Sequence, residues 1–509
     1  MVLSKLIGSI KGSFSGDQQP SLRALVTLVL PISLILRIPR LETRPIWYDD
    51  AFSIFLSRGS LGEIISGTAA DTMPPLYYFL LKGWMSLCNQ VWFLRTLSVV
   101  FSLGIIVLVY VGASKWFNQR AGLWAALFTA VSPLQVYHAQ EIRMYGLMTF
   151  ALFAYILFFI RLWNERGVDR VPWGNWIGLV LSGTVAVYSH NLAIFSIVVP
   201  NLILVFRREW RFLGQLMLVQ IGIGVLWLPW LIFVPLQVVK IQTAFWTPQP
   251  GLREILQTII VFHTNLPLPD WFIPIALFTS LLAVALVFFE IAKIAKGNQI
   301  IHSLLMVTLV PGLLLFIASY LMRPLFVPRA ILLSSLAYYV LAGRVVSDID
   351  NRVIASALCL LILLPALIGL PALYSFESFP RSPFQASADD LVDRIGEGDV
   401  IIHDNKLSYF PMHFYQPGLP QEFIADPPGS PNDTFAPESQ LAMSIFPVAD
   451  LDSAVGSAKH VWFIVFERAI EEYTSLGQPS HPHLAWLLER FSMADRLTYN
   501  DLLIYEFTR

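Results

Sequence analysis

The sequence predicts a polytopic α-helical membrane protein of about 11 transmembrane helices, followed by a small external α/β domain. Composition is the first observation behind this: the 509 residues are 56% hydrophobic and only 14% charged, against about 25% charged in a soluble domain. The second is a series of apolar runs close to the roughly 20 residues a bilayer crossing needs, separated by basic turns. The third is a change of texture from Ser375 onward, where Asp, Pro and Gly rise and apolar runs shorten.

The candidate spans are 21–39, 94–113, 121–137, 144–160, 174–189, 191–206, 212–235, 271–292, 301–321, 328–343 and 353–373. With a cytoplasmic N-terminus, the basic turns all fall on the inner side, as the positive-inside rule requires. They carry Lys115 and Arg120, Arg161 to Arg170, Arg207 with Arg208 and Arg211, Lys293 with Lys296, and Arg344 with Arg352. An odd number of spans then leaves the C-terminal region outside. Residues 1–20 are too polar for a signal h-region, so the first apolar helix is expected to stay in the mature chain.

Charge also assigns the ambiguous segment from Pro74 to Leu87. It is apolar but only about 14 residues long, which suits an interfacial helix better than a span. Counting it as a span would move the next several basic turns outside. It is therefore placed in a long external first loop, about residues 40–94, within a membrane module of residues 1–373. Residues 374–509 form the external domain, with strands expected at 400–402, 461–466 and 502–507 and helices at 389–395 and 484–491.

Composition excludes several functions. A net charge of −1 offers no basic surface for nucleic acid. Cys88 and Cys359 are the two cysteines, too few for a disulfide framework or a CxxC metal site. No GxGxxG or P-loop marks a nucleotide site.

Ionisable residues at a membrane edge are costly and therefore functional candidates. Those the inside rule leaves unexplained fall on the external side: Asp49 and Asp50 in the stretch IWYDDAF, Asp71, Arg95, Glu141, Arg143, His190, His263, Arg323 and Arg329. Each has a structural alternative. The two acids of IWYDDAF could sit at a helix N-terminus, Asp71 could cap the helix after Pro74, Arg95 could snorkel, and His190 could be a packing histidine. Carboxylates and arginines on one face nonetheless suit transfer from a phosphate leaving group to a hydroxyl. A carboxylate takes the hydroxyl proton, and the arginines bind the phosphate and stabilise its developing charge.

The ordered set Trp47-Tyr48-Asp49-Asp50-Ala51, Asp71-Thr72-Met73-Pro74-Pro75-Leu76-Tyr77-Tyr78, Arg95-Thr96-Leu97-Ser98, Ser132-Pro133, Gln140-Glu141-Ile142-Arg143-Met144-Tyr145, Tyr188-Ser189-His190 and Pro328-Arg329 resembles the GT-C membrane glycosyltransferases. More narrowly, it is similar to glycosyltransferase family 39 and its relatives: protein O-mannosyltransferases, lipid A aminoarabinose transferases and the bacterial RgtA/B/C/D-like enzymes. The resemblance covers roughly residues 20–345. It implies a multi-pass inverting transferase of the cell envelope with a polyprenyl-phosphate sugar donor and a lipid, protein or polysaccharide acceptor. Asp49 matches the catalytic base, Asp50 stands where the family usually has Glu, and Glu141 matches a second-loop acid. Arg329 matches a donor-phosphate ligand, with Asp71, Tyr77, Arg95, Arg143 and His190 as further donor-site candidates. No metal is chemically required; a divalent ion held by Asp50 and Glu141 is compatible with the pattern. Met73 departs from the His or Lys often found before the Pro pair, leaving Lys82 or Arg95 as substitutes. A polysaccharide polymerase or ligase shares this chemistry. A lipid-linked sugar flippase would instead need charges near the midplane and repeated halves.

Overall fold

The computed structural model describes residues 19–166, 172–243, 247–475 and 477–509. The polar stretch 1–18 and part of the basic turn expected at 161–170 lie outside the described residues. The chain divides into two compact units. One comprises residues 1–41, 88–234 and 247–374; the other comprises residues 42–87, 235–246 and 375–509.

The first unit is helical, and each expected span falls on one or more helical segments. Seven are long and apolar enough to cross a membrane: Val91–Trp116, Tyr145–Asn164, Trp210–Leu231, Asp270–Ile294, Gln299–Leu321, Pro328–Asp348 and Arg352–Ser375. The other four are shorter or interrupted. The first runs through Gln19–Ala24, a π-helical turn at Leu25–Val29, and Leu30–Arg37. Gln119–Val131 stops at Ser132, whose hydroxyl accepts from the Gln135 amide while Pro133 opens a new short helix, Pro133–Ala139. That Ser-Pro pair is a helix start, since proline lacks only a hydrogen-bond donor the first turn does not use. It redirects the chain just before Glu141. Trp173–Ser189 and the apolar Asn191–Phe206 follow.

At the centre, Leu332–Asp348 is almost wholly buried and crosses Gln119–Val131 closely. A Cβ on Gly343 would stand 2.7 Å from the Ala121 carbonyl oxygen and from the Ala125 amide nitrogen, so only glycine lets these backbones approach. Buried Arg37 ties the first helix to its neighbours: its Nε donates to Ser102 Oγ (2.8 Å) and its Nη1 to the Ala130 carbonyl (2.8 Å).

The second unit contains a five-stranded sheet of order β2-β1-β3-β5-β4. The strands are β1 (Val400–His403), β2 (Gln421–Phe423), β3 (His460–Phe466), β4 (Ser492–Tyr499) and β5 (Leu502–Thr508). β1, β2 and β3 are parallel; β5 is antiparallel to β3 and β4 to β5. β3 shows why the apolar runs lack alternation. Val461, Phe463 and Val465 join one core, while Trp462, Ile464 and Phe466 join the core on the opposite face, so both faces need apolar side chains. The expected strands at 400–402, 461–466 and 502–507 are β1, β3 and β5. The expected helices overlap Phe384–Val392 and Pro482–Arg490.

Residues 42–87 belong to this second unit. They form helices Tyr48–Arg58, Leu61–Ala70 and Leu76–Met85. Leu76–Met85 has 10 residues, about half a bilayer crossing, in line with its reading as a non-spanning helix. A capping box starts Leu61–Ala70: Ser60 N donates to Glu63 Oε2 (2.6 Å) and Ser60 Oγ accepts from Glu63 N.

Candidate active site

Three interruptions between spans in the first unit bring four of the expected residues together. The turn at 140–144 carries Glu141 and Arg143 and leads into Tyr145–Asn164. His190 ends Trp173–Ser189 in an extended conformation. Arg329 lies on the short 3-10 turn Pro328–Ile331, which opens the central span. The Tyr145 ring is the common neighbour. Arg329 lies 5.5 Å and Arg143 6.0 Å from its centroid, and the His190 ring centroid is 5.9 Å away. Aromatic faces attract guanidinium groups at such distances.

The imidazole of His190 has a defined donor. Its Nδ1 accepts a hydrogen bond from the Leu192 amide (3.1 Å), so the neutral ring carries its proton on Nε2. Burial pushes the His190 pKa down, and the charges of Arg329 and Arg143 lower it further, to about 3. His190 is therefore a neutral N–H donor beside two guanidinium groups.

Glu141 is buried, and its Oε2 meets His138 Nδ1 at 2.8 Å. The Glu141 carbonyl accepts from Ser98 Oγ (2.6 Å), which fixes the turn to helix Val91–Trp116. His138 also packs edge-on against Tyr145, with centroids 5.2 Å apart. Sequence reasoning missed His138. Its signal was the i,i+3 spacing from an acid at a helix end. The assembly thus joins a carboxylate–imidazole pair, able to accept and pass a proton, to two cations and a neutral donor suited to phosphate oxygens.

The remaining candidates are placed as follows. Arg95 is buried, with Nη1 donating to the Leu41 carbonyl (2.6 Å); it ties the end of the first helical stretch to Val91–Trp116. His263 lies on helix Leu252–Thr264, between the Ile259 carbonyl (3.0 Å) and Tyr338 Oη (3.0 Å).

Asp49, Asp50, Asp71 and Tyr77 lie in the second unit. Asp49 and Asp50 occupy the first turn of Tyr48–Arg58, where the helix dipole favours negative charge. Asp50 is 1% exposed, and its Oδ2 pairs with Arg381 Nη1 at 3.2 Å; the same Nη1 donates to the Pro45 carbonyl (3.1 Å). Asp49 is only half-buried. Trp47 and Tyr48, which flank the acids, are packing residues here. Trp47 meets Phe379 at 4.9 Å, and Tyr48 meets Phe410 at 5.0 Å. Asp71 forms the C-cap of Leu61–Ala70, with Oδ1 3.7 Å from Lys240 Nζ; it does not cap the helix after Pro74. Tyr77 is fully buried. Lys82 donates to the Gly59 carbonyl (2.6 Å) at the end of Tyr48–Arg58.

Asp50 lies in the second unit and Glu141 in the first. Each carboxylate already holds a partner, and neither belongs to the group of three potential ligands found among the described residues, Asp404, His481 and His483.

Residues 72–235 match the family described as dolichyl-phosphate-mannose-protein mannosyltransferase. No curated protein matches the chain by sequence. Among solved structures, the chain is similar to ArnT from Cupriavidus metallidurans in the apo state, at TM-score 0.62 and 14% identity, covering 95% of this chain and 98% of that one. The same protein bound to undecaprenyl phosphate aligns at TM-score 0.61, with the same identity and coverage. The archaeal oligosaccharyltransferase AglB from Archaeoglobus fulgidus, in complex with an inhibitory peptide and a dolichol-phosphate, aligns at TM-score 0.55 and 10% identity, covering 96% of this chain and 74% of that one.

Proposed function

Starting from a chain with the GT-C fold of membrane glycosyltransferases, we propose that it is an inverting transferase moving a sugar from a polyprenyl-phosphate donor to a hydroxyl acceptor. The observation that carries this reading is the meeting of Arg143, Arg329 and neutral His190 around Tyr145, beside the Glu141–His138 pair. Two guanidinium groups and one N–H donor match the oxygens of a phosphate and stabilise the charge that builds as it leaves. The comparison proteins with undecaprenyl phosphate and dolichol-phosphate support a lipid-linked donor.

In the proposed reaction, Arg329 and Arg143 hold the donor phosphate and the His190 Nε2–H adds a third contact. On the sequence resemblance alone, Asp49 is the base that removes the acceptor hydroxyl proton. The alkoxide forms its bond to the anomeric carbon from the face opposite the phosphate, and the bond from that carbon to the phosphate oxygen breaks with its electron pair going to the phosphate. One displacement inverts the configuration. Asp50, held by Arg381, orients the helix turn that presents Asp49. Glu141, with His138, positions the acceptor. We place the reaction at the external face of a cell membrane, with the N-terminus cytoplasmic and the C-terminal domain outside, on the support of the basic inner turns. The acceptor is a lipid, a protein or a polysaccharide, and polymerase or ligase activity belongs to the same chemistry.

Membranes containing the protein are incubated with a radiolabelled polyprenyl-phosphate sugar. Label is expected in an acceptor, with none in the Asp49→Asn variant, which still binds the donor. Movement of label across the bilayer without transfer would identify a flippase and overturn the reading.

A further inference from the structure

We propose that the C-terminal domain carries a divalent transition-metal site of the zinc class, formed by Asp404, His481 and His483. The ligand atoms of the three side chains lie within 4.8 Å of one another. Asp404 Oδ1 is 2.8 Å from His483 Nδ1 and 3.3 Å from His481 Nε2. A tetrahedral ion with bonds of about 2.0–2.1 Å separates its ligands by roughly 3.3–3.4 Å, close to the His481–Asp404 separation and within the 4.8 Å that bounds all three.

The placement points to a ligand independently. β1 lies between β2 and β3 in the parallel part of the sheet, and β3 follows β2 in the chain. The direction of winding therefore reverses between β1 and β3. In open α/β sheets, the crevice beyond the carboxyl ends of the strands at such a reversal is where ligands bind. Asp404 is the first residue after β1, and its amide donates to the Ile464 carbonyl of β3 (2.9 Å). It stands at that crevice.

The surroundings orient the donors. Asn405 Nδ2 donates to Asp404 Oδ2 (3.0 Å), leaving Oδ1 turned toward the imidazoles, the kind of outer hydrogen bond that holds a ligating carboxylate. His481 is 2% exposed and packed edge-on against Tyr473 at 4.7 Å. Pro482 between the two histidines fixes the backbone at the start of helix Pro482–Arg490. Two imidazole nitrogens and one carboxylate oxygen suit zinc-class ions rather than magnesium or calcium, which take all-oxygen sets. Three protein ligands leave a fourth position for water or another small ligand. A bound ion would join the end of β1 to the segment that opens the last helix.

The test uses the full chain in detergent, stripped with chelator, dialysed against Zn²⁺ and analysed for bound metal, with Co²⁺ as a spectroscopic probe. One equivalent of Zn²⁺ and the visible absorption of tetrahedral Co²⁺ are expected. His483→Gln, at a half-exposed position where folding should survive, and Asp404→Asn should each weaken Zn²⁺ binding by at least about 100-fold, beyond the 10–100-fold typical of outer-shell changes. Absence of stoichiometric metal in the unmodified protein would show that Asp404 merely accepts hydrogen bonds from the two imidazoles. Equal Zn²⁺ uptake by both variants would place the ion elsewhere. Either result overturns the proposal and leaves the transferase reading untouched.

Discussion

Arg381→Met tests the buried pair that holds the helix bearing Asp49. The change removes the guanidinium that meets Asp50 Oδ2 at 3.2 Å and the Pro45 carbonyl at 3.1 Å, while keeping much of the aliphatic volume. Asp50 is then left as a carboxylate in a place 1% exposed. Breaking one side of a buried ion pair costs about 3–5 kcal/mol, mostly because the remaining charge is stranded. For a unit of roughly 200 residues, each kcal/mol moves the melting midpoint by about 2–4 °C, so a fall of roughly 6–20 °C is expected. The assay is thermal unfolding of the full chain in detergent, run as a double-mutant cycle with Asp50→Leu. The double variant should recover most of the loss, because the two buried charges disappear together. A shift under about 2 °C for Arg381→Met, or losses that simply add in the double variant, would refute the reasoning that this pair fixes the helix.

Further predictions address the first unit. Arg329→Ala should weaken donor binding by about 10–150-fold, equivalent to the roughly 1.5–3 kcal/mol of a hydrogen bond to a charged group; direct binding of a polyprenyl-phosphate sugar measures it. His190 has a folded pKa near 3 against about 6.5 unfolded. Its contribution to stability is present above about pH 6.5 and is lost as pH falls toward the folded value. Melting midpoints at pH 7 and pH 4.5 should therefore converge in His190→Asn relative to the unmodified protein. Gly343→Ala places a Cβ 2.7 Å from the backbone of the facing helix. It should destabilise the first unit by about 1–3 kcal/mol, as overpacking does, seen as reduced thermal stability.

Much of the architecture was legible in the sequence because the bilayer imposes length and sidedness. The apolar runs marked the helical segments of the first unit, seven of them long and apolar enough to cross a membrane. Three strands of the C-terminal sheet stood out because both of their faces are buried. β2 escaped because it has only three residues, and β4 because its side chains are largely exposed on an edge strand, so neither shows an apolar run. The sequence also supplied Glu141, Arg143, His190 and Arg329 as separate charges at the ends of separate spans.

What the sequence alone determined is the set of local preferences: where apolar helices run and where strands of the C-terminal sheet lie; the break at Ser132-Pro133 falls inside the expected span 121–137 and came from the structure. What only the tertiary structure decided is which distant groups meet. Tyr145, which the sequence placed only beside Glu141 and Arg143, gathers Arg143, His190 and Arg329. Arg381, 331 positions beyond Asp50, claims the second acid of IWYDDAF, and the first acid remains half-buried. The reason is that burial and charge pairing depend on three-dimensional distance. A pattern of adjacent residues records a preference for helix or strand, but not the partner that folding brings to each charge.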